Sequence, residues 1–256
     1  MISKARIKEI HALERKKVRD REGLFVAEGP KLVGELLASR ESQTGMVPRY
    51  VAATKSWLEE HAGEIGGAEV DVVSVEELAR ASLLQHPQDV VALFSIPRTE
   101  VSLCEVAERE LVLALDGVQD PGNLGTIVRL ADWFGIRHVF CSADCADVFN
   151  PKATQATMGA LARVGVHNVD LVGALQETQA PVFGTFLDGD NIYGEPLSAN
   201  GVVVMGNEGR GISPQVEALV NRRLFIPPFP EHRQTVESLN VAIATAVVCA
   251  EFRRRG

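Results

Sequence analysis

The sequence predicts an α/β protein, and three observations lead to that fold class. Short apolar runs alternate with longer amphipathic stretches along the 256 residues. The runs at 111–115 and 202–205 are apolar throughout, as in strands that are buried on both faces of a parallel sheet. Each of these runs leads into a polar loop that contains glycine, at the strand end where open α/β sheets bind ligands. We therefore expect a mostly parallel sheet covered by helices in the larger part of the chain.

Residues 1–97 are predicted to form a small α/β domain. A charged helix at about 3–17 precedes the first strand. Apolar runs predict strands at 24–27, 50–53, 70–73 and 90–94, and the stretches between them predict helices at 30–38, near Trp57 and at 75–81. Residues 98–109 are predicted to link this domain to the next one.

Residues 110–256 are predicted to form the domain that carries the parallel sheet. Its strands are expected near 111–115, 138–141, 163–166, 182–186, 202–205 and 224–226. A turn beginning at Asp120 stops the first of these strands, and Asn123 is a suitable cap for the helix that follows. Ser238 is a natural cap for the last helix, which is apolar on nearly every face over 239–249 and is therefore expected to be buried.

Composition favours a cytoplasmic enzyme. No uninterrupted apolar stretch is long enough to span a membrane, and the first 20 residues are polar and charged, so we expect neither a membrane segment nor a secretory signal. Four cysteines fit a reducing compartment better than a disulfide framework. Cys141 and Cys145 have no second pair of ligands nearby, so both are interpreted as packing residues and no metal site is expected.

The distribution of charge matters more than the net charge of −8, which by itself argues against an RNA partner. Residues 1–21 hold eight Lys or Arg against three carboxylates. A basic segment on an acidic protein suits contacts with RNA phosphates. The alternative interpretation is a solvated first helix whose charges point outward.

Residues 202–213, VVVMGNEGRGIS, join an apolar strand to a glycine-spaced loop that carries Glu208 and Arg210. Gly206, Gly209 and Gly211 would permit positive φ or a close approach to a ligand. The spacing G-x-x-G-x-G differs from the dinucleotide fingerprint, and no Lys-Ser or Lys-Thr follows, so nicotinamide and Walker-type sites are both excluded. A tight turn without a ligand is the alternative.

The helix after Asn123 places Arg129 at the ligand-binding end of the sheet. Its apolar face is formed by Ile127, Leu130, Ala131 and Phe134, and Arg129 points elsewhere. This position would put a permanent cation near the site. A solvated helix residue is the alternative.

Three segments, in this order, resemble the motifs of the SpoU (TrmH-like) ribose 2′-O-methyltransferases of the SPOUT superfamily. The matching residues are Asp120-Pro121-x-Asn123-x-Gly125 with Arg129, then Met205-Gly206-Asn207-Glu208-Gly209-x-Gly211, then Ile226-Pro227 and Ser238-Leu239-Asn240-Val241. The chain departs from the family pattern at 228–237, PFPEHRQTVE, where relatives usually have a shorter loop with a glycine.

The resemblance implies a SPOUT trefoil-knotted, mostly parallel sheet domain preceded by a small α/β ribosomal-protein-like RNA-binding domain, whose usual start matches FVAEG at 25–29. It also implies S-adenosyl-L-methionine as the cofactor, RNA as the partner and a homodimer with the last helix at its interface. The positions expected to bind the cofactor are Thr185, Phe186, Leu187, Gly206, Ile226 and Leu239.

The implied reaction is an in-line attack of a ribose 2′-hydroxyl on an activated methyl group, which needs orientation and a route for the hydroxyl proton. A guanidinium is a poor base, so Arg129 is expected to hold the neighbouring phosphate and to lower the pKa of the hydroxyl. Asn123 would shape the loop, and Glu208 would either orient Arg129 or the loop, or act directly as the base. Two further groups are expected to complete the site as helix cap and hydrogen-bonding partners, Ser238 and Asn240.

The function implied by the resemblance is methylation of a ribose 2′-hydroxyl in structured RNA. Ribosomal RNA is favoured over tRNA, because an added amino-terminal domain is more typical of the relatives that modify rRNA. The alternative is a catalytically silent RNA- or ribosome-binding protein with the same fold.

Overall fold

The computed structural model describes residues 1–39, 45–98, 100–230 and 238–255. The chain forms two compact units. Unit 1 contains residues 1–99 together with 147–163, and unit 2 contains residues 100–146 and 164–256. Residues 147–163 thus lie between the two segments of unit 2 in sequence but belong to unit 1. The order of the elements along the chain did not predict this.

The described helices and strands alternate along most of the chain, except that α1 is followed by α2 and β8 by β9. The strands are β1 Leu24–Glu28, β2 Pro48–Ala53, β3 Glu69–Val72, β4 Val90–Ser95, β5 Leu111–Asp116, β6 His138–Cys141, β7 Gly165–Asn168, β8 Val182–Asn191, β9 Gly201–Gly206 and β10 Arg222–Phe225. The α-helices are α1 Lys4–Ala12, α2 Lys16–Glu22, α3 Pro30–Ala38, α4 Lys55–His61, α5 Val75–Ala81, α6 Leu103–Ala107, α7 Pro121–Trp133, α8 Pro151–Ala156, α9 Leu171–Glu177, α10 Pro214–Glu217 and α11 Val241–Arg255. A short 3₁₀-helix occupies Ala160–Ala162.

Unit 1 is built on a four-stranded sheet in the order β1-β4-β2-β3. The pair β2 and β3 is parallel, and β4 is antiparallel to both of its neighbours. Phe25 in β1 contacts Phe149, with ring centroids 4.9 Å apart, and Arg163 forms an ion pair with Glu35 of α3. The segment 147–163 therefore supplies both apolar and charged contacts within unit 1.

The single helix expected at 3–17 is wrong, because the chain forms α1 and α2 with a break at Leu13–Arg15. Leu13 is buried in the core of unit 1. Arg19, 1% exposed, donates from Nη1 to the carbonyl oxygens of Leu13 and Glu14 at 2.8 Å each. These bonds satisfy carbonyl groups that a continuous helix would have used, so the break is stable.

Unit 2 confirms the predicted fold class. Its six strands lie in the order β10-β8-β9-β5-β6-β7, and every neighbouring pair is parallel. All six residues of β5 are buried, as expected for a central strand covered on both faces. Strand β7 begins at Gly165 rather than near 163, because a 3₁₀-helix precedes it.

Two other features of unit 2 bear on the predicted organisation. The stretch 98–109 contains α6, whose Leu103 and Ala107 are buried in the core of this unit. Helix α11 packs against α7. The predicted knot stays a prediction, since residues 231–237, which lead into α11, lie outside the described residues. Within the described parts of the chain, no helix is long and apolar enough to cross a membrane.

Candidate functional site

The candidate site lies in unit 2, at the carboxyl ends of the two central strands. Strands β5 and β9 are neighbours in register, with Asp116 opposite Gly206. The loops that follow these two strands therefore begin side by side, although about 90 residues of sequence separate them. One loop leads to Asn123 and Arg129, and the other carries Glu208.

The glycine loop after β9 is organised by Asn207, for which the sequence suggested no role. Asn207 and Gly211 exchange two backbone hydrogen bonds of 2.9 Å each. The Asn207 side-chain oxygen accepts from the amides of Gly209 and Arg210 at 2.9 and 3.0 Å, and its Nδ2 donates to the Gly117 carbonyl at 2.7 Å. An Asn that caps the turn just after an apolar strand is the signal that could have revealed this role.

Two of the three glycines of this loop are required, each for a different reason. A Cβ atom at Gly206 would lie 2.3 Å from the carbonyl carbon of Gly211, so the returning loop itself excludes a side chain there. Gly211 has φ of +71°, in the left-handed region. Gly209 has neither a positive φ nor a close neighbour. The close backbone contact expected at Gly206 is therefore a contact with its own loop, at Gly211.

Asp116 also anchors this end of the sheet. It is the last residue of β5 and is buried, and its Oδ2 accepts from the backbone amide of Ser213 at 2.6 Å. Ser213 precedes α10. A carboxylate at the end of an otherwise apolar strand thus fixes the far end of the glycine loop.

A chain of hydrogen bonds joins the three sequence motifs. Asn123 Nδ2 donates to Glu208 Oε1 at 2.9 Å, and Asn240 Nδ2 donates to Asn123 Oδ1 at 3.1 Å. Asn123 therefore uses both ends of its amide to connect residues that are 85 and 117 positions away in sequence. Three predicted site residues are brought into contact by this arrangement.

Two predicted helix caps are corrected by these bonds. Asp120, not Asn123, caps α7, since its Oδ1 accepts from the Asn123 amide at 2.8 Å. Asn240, not Ser238, caps α11, because its Oδ1 accepts from the amides of Ala242 and Ile243 at 3.0 and 3.3 Å. Ser238 is exposed and lies two residues before that cap. In both cases another polar residue, three positions before Asn123 and two positions after Ser238, accepts from the first amides of the helix.

Arg129 is on the exposed side of α7, six residues after Asn123 and about 9 Å farther along the helix axis. Among the residues that the structure describes, no carboxylate pairs with it. Glu208 contacts Asn123 rather than Arg129, so the expected orientation of Arg129 by Glu208 is not found. Within the described part of the chain, the positive charge of Arg129 is therefore not neutralised.

The predicted cofactor positions lie on or beside four elements. Thr185, Phe186 and Leu187 are in the middle of β8, Gly206 is the last residue of β9, Ile226 follows β10, and Leu239 lies two residues before α11. The Phe186 ring is covered by the Arg223 guanidinium at 3.6 Å, and Arg223 also binds Glu217 and Asp188. The hydrogen bond from Arg223 lowers the pKa of Asp188. Arg223 therefore covers the ring of Phe186, which is one of the predicted cofactor positions.

The apolar side chains at these positions are suited to an adenine or methionine moiety. Leu187 and Leu239 are exposed, and Ile226 is half-buried. These exposed leucines provide apolar surface, and the strand ends nearby in sequence provide backbone polar groups. The residues present therefore fit S-adenosylmethionine.

Residues 110–250 match the family described as SpoU rRNA Methylase, and residues 4–92 match the MRM3-like substrate binding domain. The chain belongs to the SpoU rRNA methylase family. The family resemblance inferred from the three motifs is confirmed. Within this SpoU chain, the described contacts show how those motifs meet, which their order in the sequence did not show.

The sequences of two similar proteins align with most of this SpoU chain. A 23S rRNA (guanosine(2553)-2′-O)-methyltransferase of Bacillus subtilis is 29% identical and is matched over 97% of this chain and 96% of its own. A 23S rRNA (guanosine-2′-O-)-methyltransferase of Neisseria meningitidis is 30% identical over 80% of this chain and 83% of its own.

Solved structures share the same architecture. A TrmH-family protein from Porphyromonas gingivalis is 43% identical, covers both chains completely and has a TM-score of 0.89. An rRNA methyltransferase from Sinorhizobium meliloti, solved with AdoMet bound, is 28% identical over 100% of this chain and 96% of its own, with a TM-score of 0.86. The predicted fold class is therefore confirmed by structures as well as by the sheet order.

Proposed function

We propose that this protein transfers a methyl group from S-adenosylmethionine to a ribose 2′-hydroxyl of ribosomal RNA. The observation that carries this proposal is the hydrogen-bonded chain Glu208–Asn123–Asn240, which joins the three SpoU motifs at one end of the sheet. Family membership and the names of the relatives, which are 23S rRNA 2′-O-methyltransferases, support the reaction and the class of RNA.

The cofactor would be held by the glycine loop and its neighbours. Gly206, Ile226 and Leu239 would bind it largely through backbone groups, and residues 185–187 would flank it. When bound, S-adenosylmethionine supplies an activated methyl group. The protein then needs to orient the ribose hydroxyl in line with that group and to remove its proton.

Arg129 is proposed to bind the phosphate next to the reactive ribose. A guanidinium can grip a phosphate through two parallel hydrogen bonds, and its positive charge lowers the pKa of the nearby hydroxyl. The proton would pass to water or to a phosphate oxygen, because Arg129 cannot accept it. Arg129 is suited to this task because no carboxylate among the described residues neutralises it.

Glu208 is proposed to be a positioning residue. Its Oε1 already accepts from Asn123, whose other amide atom accepts from Asn240. This network fixes the first loop against the start of α11, and Asn240 in turn caps that helix. Asn123 and Asn240 would present a fixed edge to the ribose, while Ser238, exposed just before this cap, would add a hydroxyl to the same edge.

The RNA partner would be bound in part by unit 1. Residues 4–92 resemble a substrate binding domain, and Arg15, Lys16 and Lys17 form an exposed basic cluster at the start of α2. Not all the basic residues of 1–21 are available, because Arg19 is buried and Arg6 binds Glu9 and Glu69. The proposed RNA contact is therefore narrower than the basic segment seen in the sequence.

A homodimer is part of the proposal. Trp133 at the end of α7 is 83% exposed, and Ile243 on α11 is 56% exposed, although the sequence of α11 predicted burial. Helices α7 and α11 pack together, so a second copy would cover apolar surface on adjoining helices. The mass of Trp133→Glu and Ile243→Glu variants, measured by light scattering, should shift towards the monomer, whereas Val75→Glu in unit 1 should leave it unchanged. A dimer that persists in both variants would contradict this interface.

The decisive experiment is methyl transfer from labelled S-adenosylmethionine to rRNA isolated from a strain that lacks the protein. Incorporation at one ribose, mapped by resistance to alkaline cleavage, would support the proposal. The proposed ribosomal substrate also accords with a cytoplasmic location of the protein. Saturable RNA binding without cofactor binding or incorporation would instead indicate a catalytically silent RNA-binding protein.

A further inference from the structure

Strand β8 is not paired with its neighbours along its whole length. Its register against β9 runs only as far as Gly184. On the other side, Arg223 of β10 lies opposite Gly184 and the next residue, Leu224, lies opposite Asp190, so the register skips residues 185–189. Pairing with the adjacent strands therefore does not fix the conformation of these five residues. Three of them are predicted cofactor positions.

The side chain of Arg223 contacts this segment at two residues. Its Nη2 donates to Asp188 Oδ1 at 2.5 Å, and its Cζ lies 3.6 Å from the centroid of the Phe186 ring. One contact uses the charge of the guanidinium and the other uses its flat face. The Arg223 side chain is 34% exposed, so solvent screens these contacts only in part.

Arg223 is itself anchored to a second element of the site. Its Nη1 donates to Oε1 of Glu217, the last residue of α10, at 2.7 Å. The amide of Ser213, just before α10, binds the carboxylate of Asp116 at the end of β5. The guanidinium thus links residues 185–189 to the helix that follows the glycine loop.

The ring of Phe186 is a packing group. A Cβ atom at Gly184 would lie 2.7 Å from Cε2 of Phe186, so the ring folds back over its own strand. Phe186 also packs against the apolar core of unit 2, and Arg223 covers its face. The next side chain, Leu187, is exposed. This arrangement leaves Leu187 and the backbone of the segment, rather than the Phe186 ring, to contact a ligand.

We propose that Arg223 is a positioning residue that preorganises residues 185–189 for S-adenosylmethionine. It acts only through this segment and touches neither the methyl group nor the RNA. The proposal rests on the proposed function in one respect, the location of the cofactor beside residues 185–187. A segment that holds its binding conformation only about a tenth of the time lowers the apparent affinity about tenfold.

The affinity for S-adenosylmethionine, measured by calorimetry, tests the proposal directly. Arg223→Ala should raise the Kd about tenfold. Arg223→Lys should recover little, because an ammonium group cannot bind two carboxylates in one plane and also cover a ring. Arg222→Ala is the matched control, since it removes the same charge from the adjacent, exposed position of β10 and should bind like wild type. Unchanged affinity in a folded Arg223→Ala protein would overturn the proposal.

A second variant tests the same contact without disturbing the core. The side chain of Asp188 is 77% exposed, so Asp188→Ala should fold normally and should raise the Kd about threefold. The double variant Arg223→Ala/Asp188→Ala should bind no more weakly than Arg223→Ala alone, because both changes release the same segment. Independent, additive losses would contradict this.

Hydrogen exchange separates positioning from general destabilisation. In the cofactor-free protein, the amides of residues 185–189 should exchange at least about fivefold faster in Arg223→Ala than in wild type or Arg222→Ala. The amides of β5 should keep their wild-type rates. Faster exchange throughout unit 2 would assign Arg223 a merely structural role.

Steady-state kinetics complete the test. In Arg223→Ala the KM for the cofactor should rise about tenfold, while kcat at saturating cofactor and the affinity for rRNA stay within about twofold of wild type. A fall in kcat with unchanged cofactor affinity would contradict the proposal. If the wild type binds S-adenosylmethionine but methylates no rRNA, the proposed function fails, and the affinities and exchange rates still decide the role of Arg223.

Discussion

The side-chain amide of Asn123 is held from both ends, by Glu208 as acceptor at 2.9 Å and by Asn240 as donor at 3.1 Å. Asn123 is therefore the residue through which the first, second and third motifs contact one another. Because an amide can donate and accept at once, neither a carboxylate nor an alkyl group can replace it.

Asn123→Asp should reduce methyl transfer by about ten- to a hundredfold, since it removes a donor and places a second carboxylate against Glu208. Initial rates with labelled S-adenosylmethionine measure the effect. Thr126→Ala, on the exposed side of the same helix, is the matched control and should be close to wild type. Equal activities for the two variants would show that the network is not needed for the reaction.

Arg129→Ala should lower methyl transfer by at least about a hundredfold while the cofactor affinity changes only a few-fold, because the cation acts on the RNA. Calorimetric titration with the cofactor, run beside a turnover assay, separates the two effects. Arg129→Lys should recover little, since a point charge cannot reproduce a bidentate grip on phosphate. A parallel loss of cofactor binding and turnover would assign Arg129 a structural role.

Gly206→Ala should abolish detectable cofactor binding and lower the free energy of unfolding by about 2 kcal/mol, because the new Cβ meets the Gly211 backbone. Denaturant unfolding and calorimetry measure these two quantities. Gly209→Ala is the matched control in the same loop and should keep both near wild type, since a Cβ there has only Asn207 nearby, at 3.7 Å. Normal cofactor affinity in a folded Gly206→Ala protein would remove this loop from the cofactor site.

Reversal of Arg15, Lys16 and Lys17 to Glu should weaken RNA binding and reduce its dependence on salt, with cofactor binding and stability retained. Affinities measured across a salt series give the slope. Arg19→Ala should behave differently, because Arg19 is buried and pairs with Asp147 at 2.5 Å. It should destabilise unit 1 by about 3 kcal/mol or more, since a carboxylate would be left without its partner. If the triple reversal leaves the RNA affinity unchanged, this cluster is a solvated surface that does not contact RNA.

Stability should fall as the pH drops from 6.5 towards 4, because burial, followed by the nearby His138, lowers the pKa of His167 to about 4. The unfolded chain takes up a proton near 6.5 and the folded chain does so only near 4, so acid favours unfolding within this window. Since solvent reaches part of the ring, the loss should be about 2 kcal/mol. Denaturant unfolding over this range should show a shallower slope for His167→Asn, and the slope of exposed His86→Asn should match wild type. An unchanged slope in His167→Asn would contradict the prediction.

Much of the fold could be predicted from local patterns. Helix α3 spans the predicted residues because Pro30 follows a glycine at its start, and β5 and β9 are apolar throughout. The break between α1 and α2 could not be predicted, since it depends on Arg19, whose carboxylate partner is 128 residues away. Local propensity does not contain such contacts.

The candidate site, too, could be predicted only in part from local patterns. The motifs identified Asn123, Glu208 and Asn240 as important, yet the bonds among them arise from the register of β5 against β9 and from the packing of α11 on α7. The sequence predicts no role for Asp116, because it stabilises a loop whose shape is known only once the strands are paired. Asn207 differs, since its position just after an apolar strand is a signal for a turn cap.

Unit 1 is discontinuous, and this has a consequence for biosynthesis. The ribosome makes the first 99 residues well before Asp147 and Phe149, so the nascent chain holds Arg19 without its carboxylate and Phe25 without one aromatic neighbour. The amino-terminal part should therefore stay only partly folded during translation until residue 163 has left the exit tunnel. By then β5 and β6 of unit 2 have also been made, whereas β7–β10 and α11 have not, so unit 1 has all of its residues before unit 2 does.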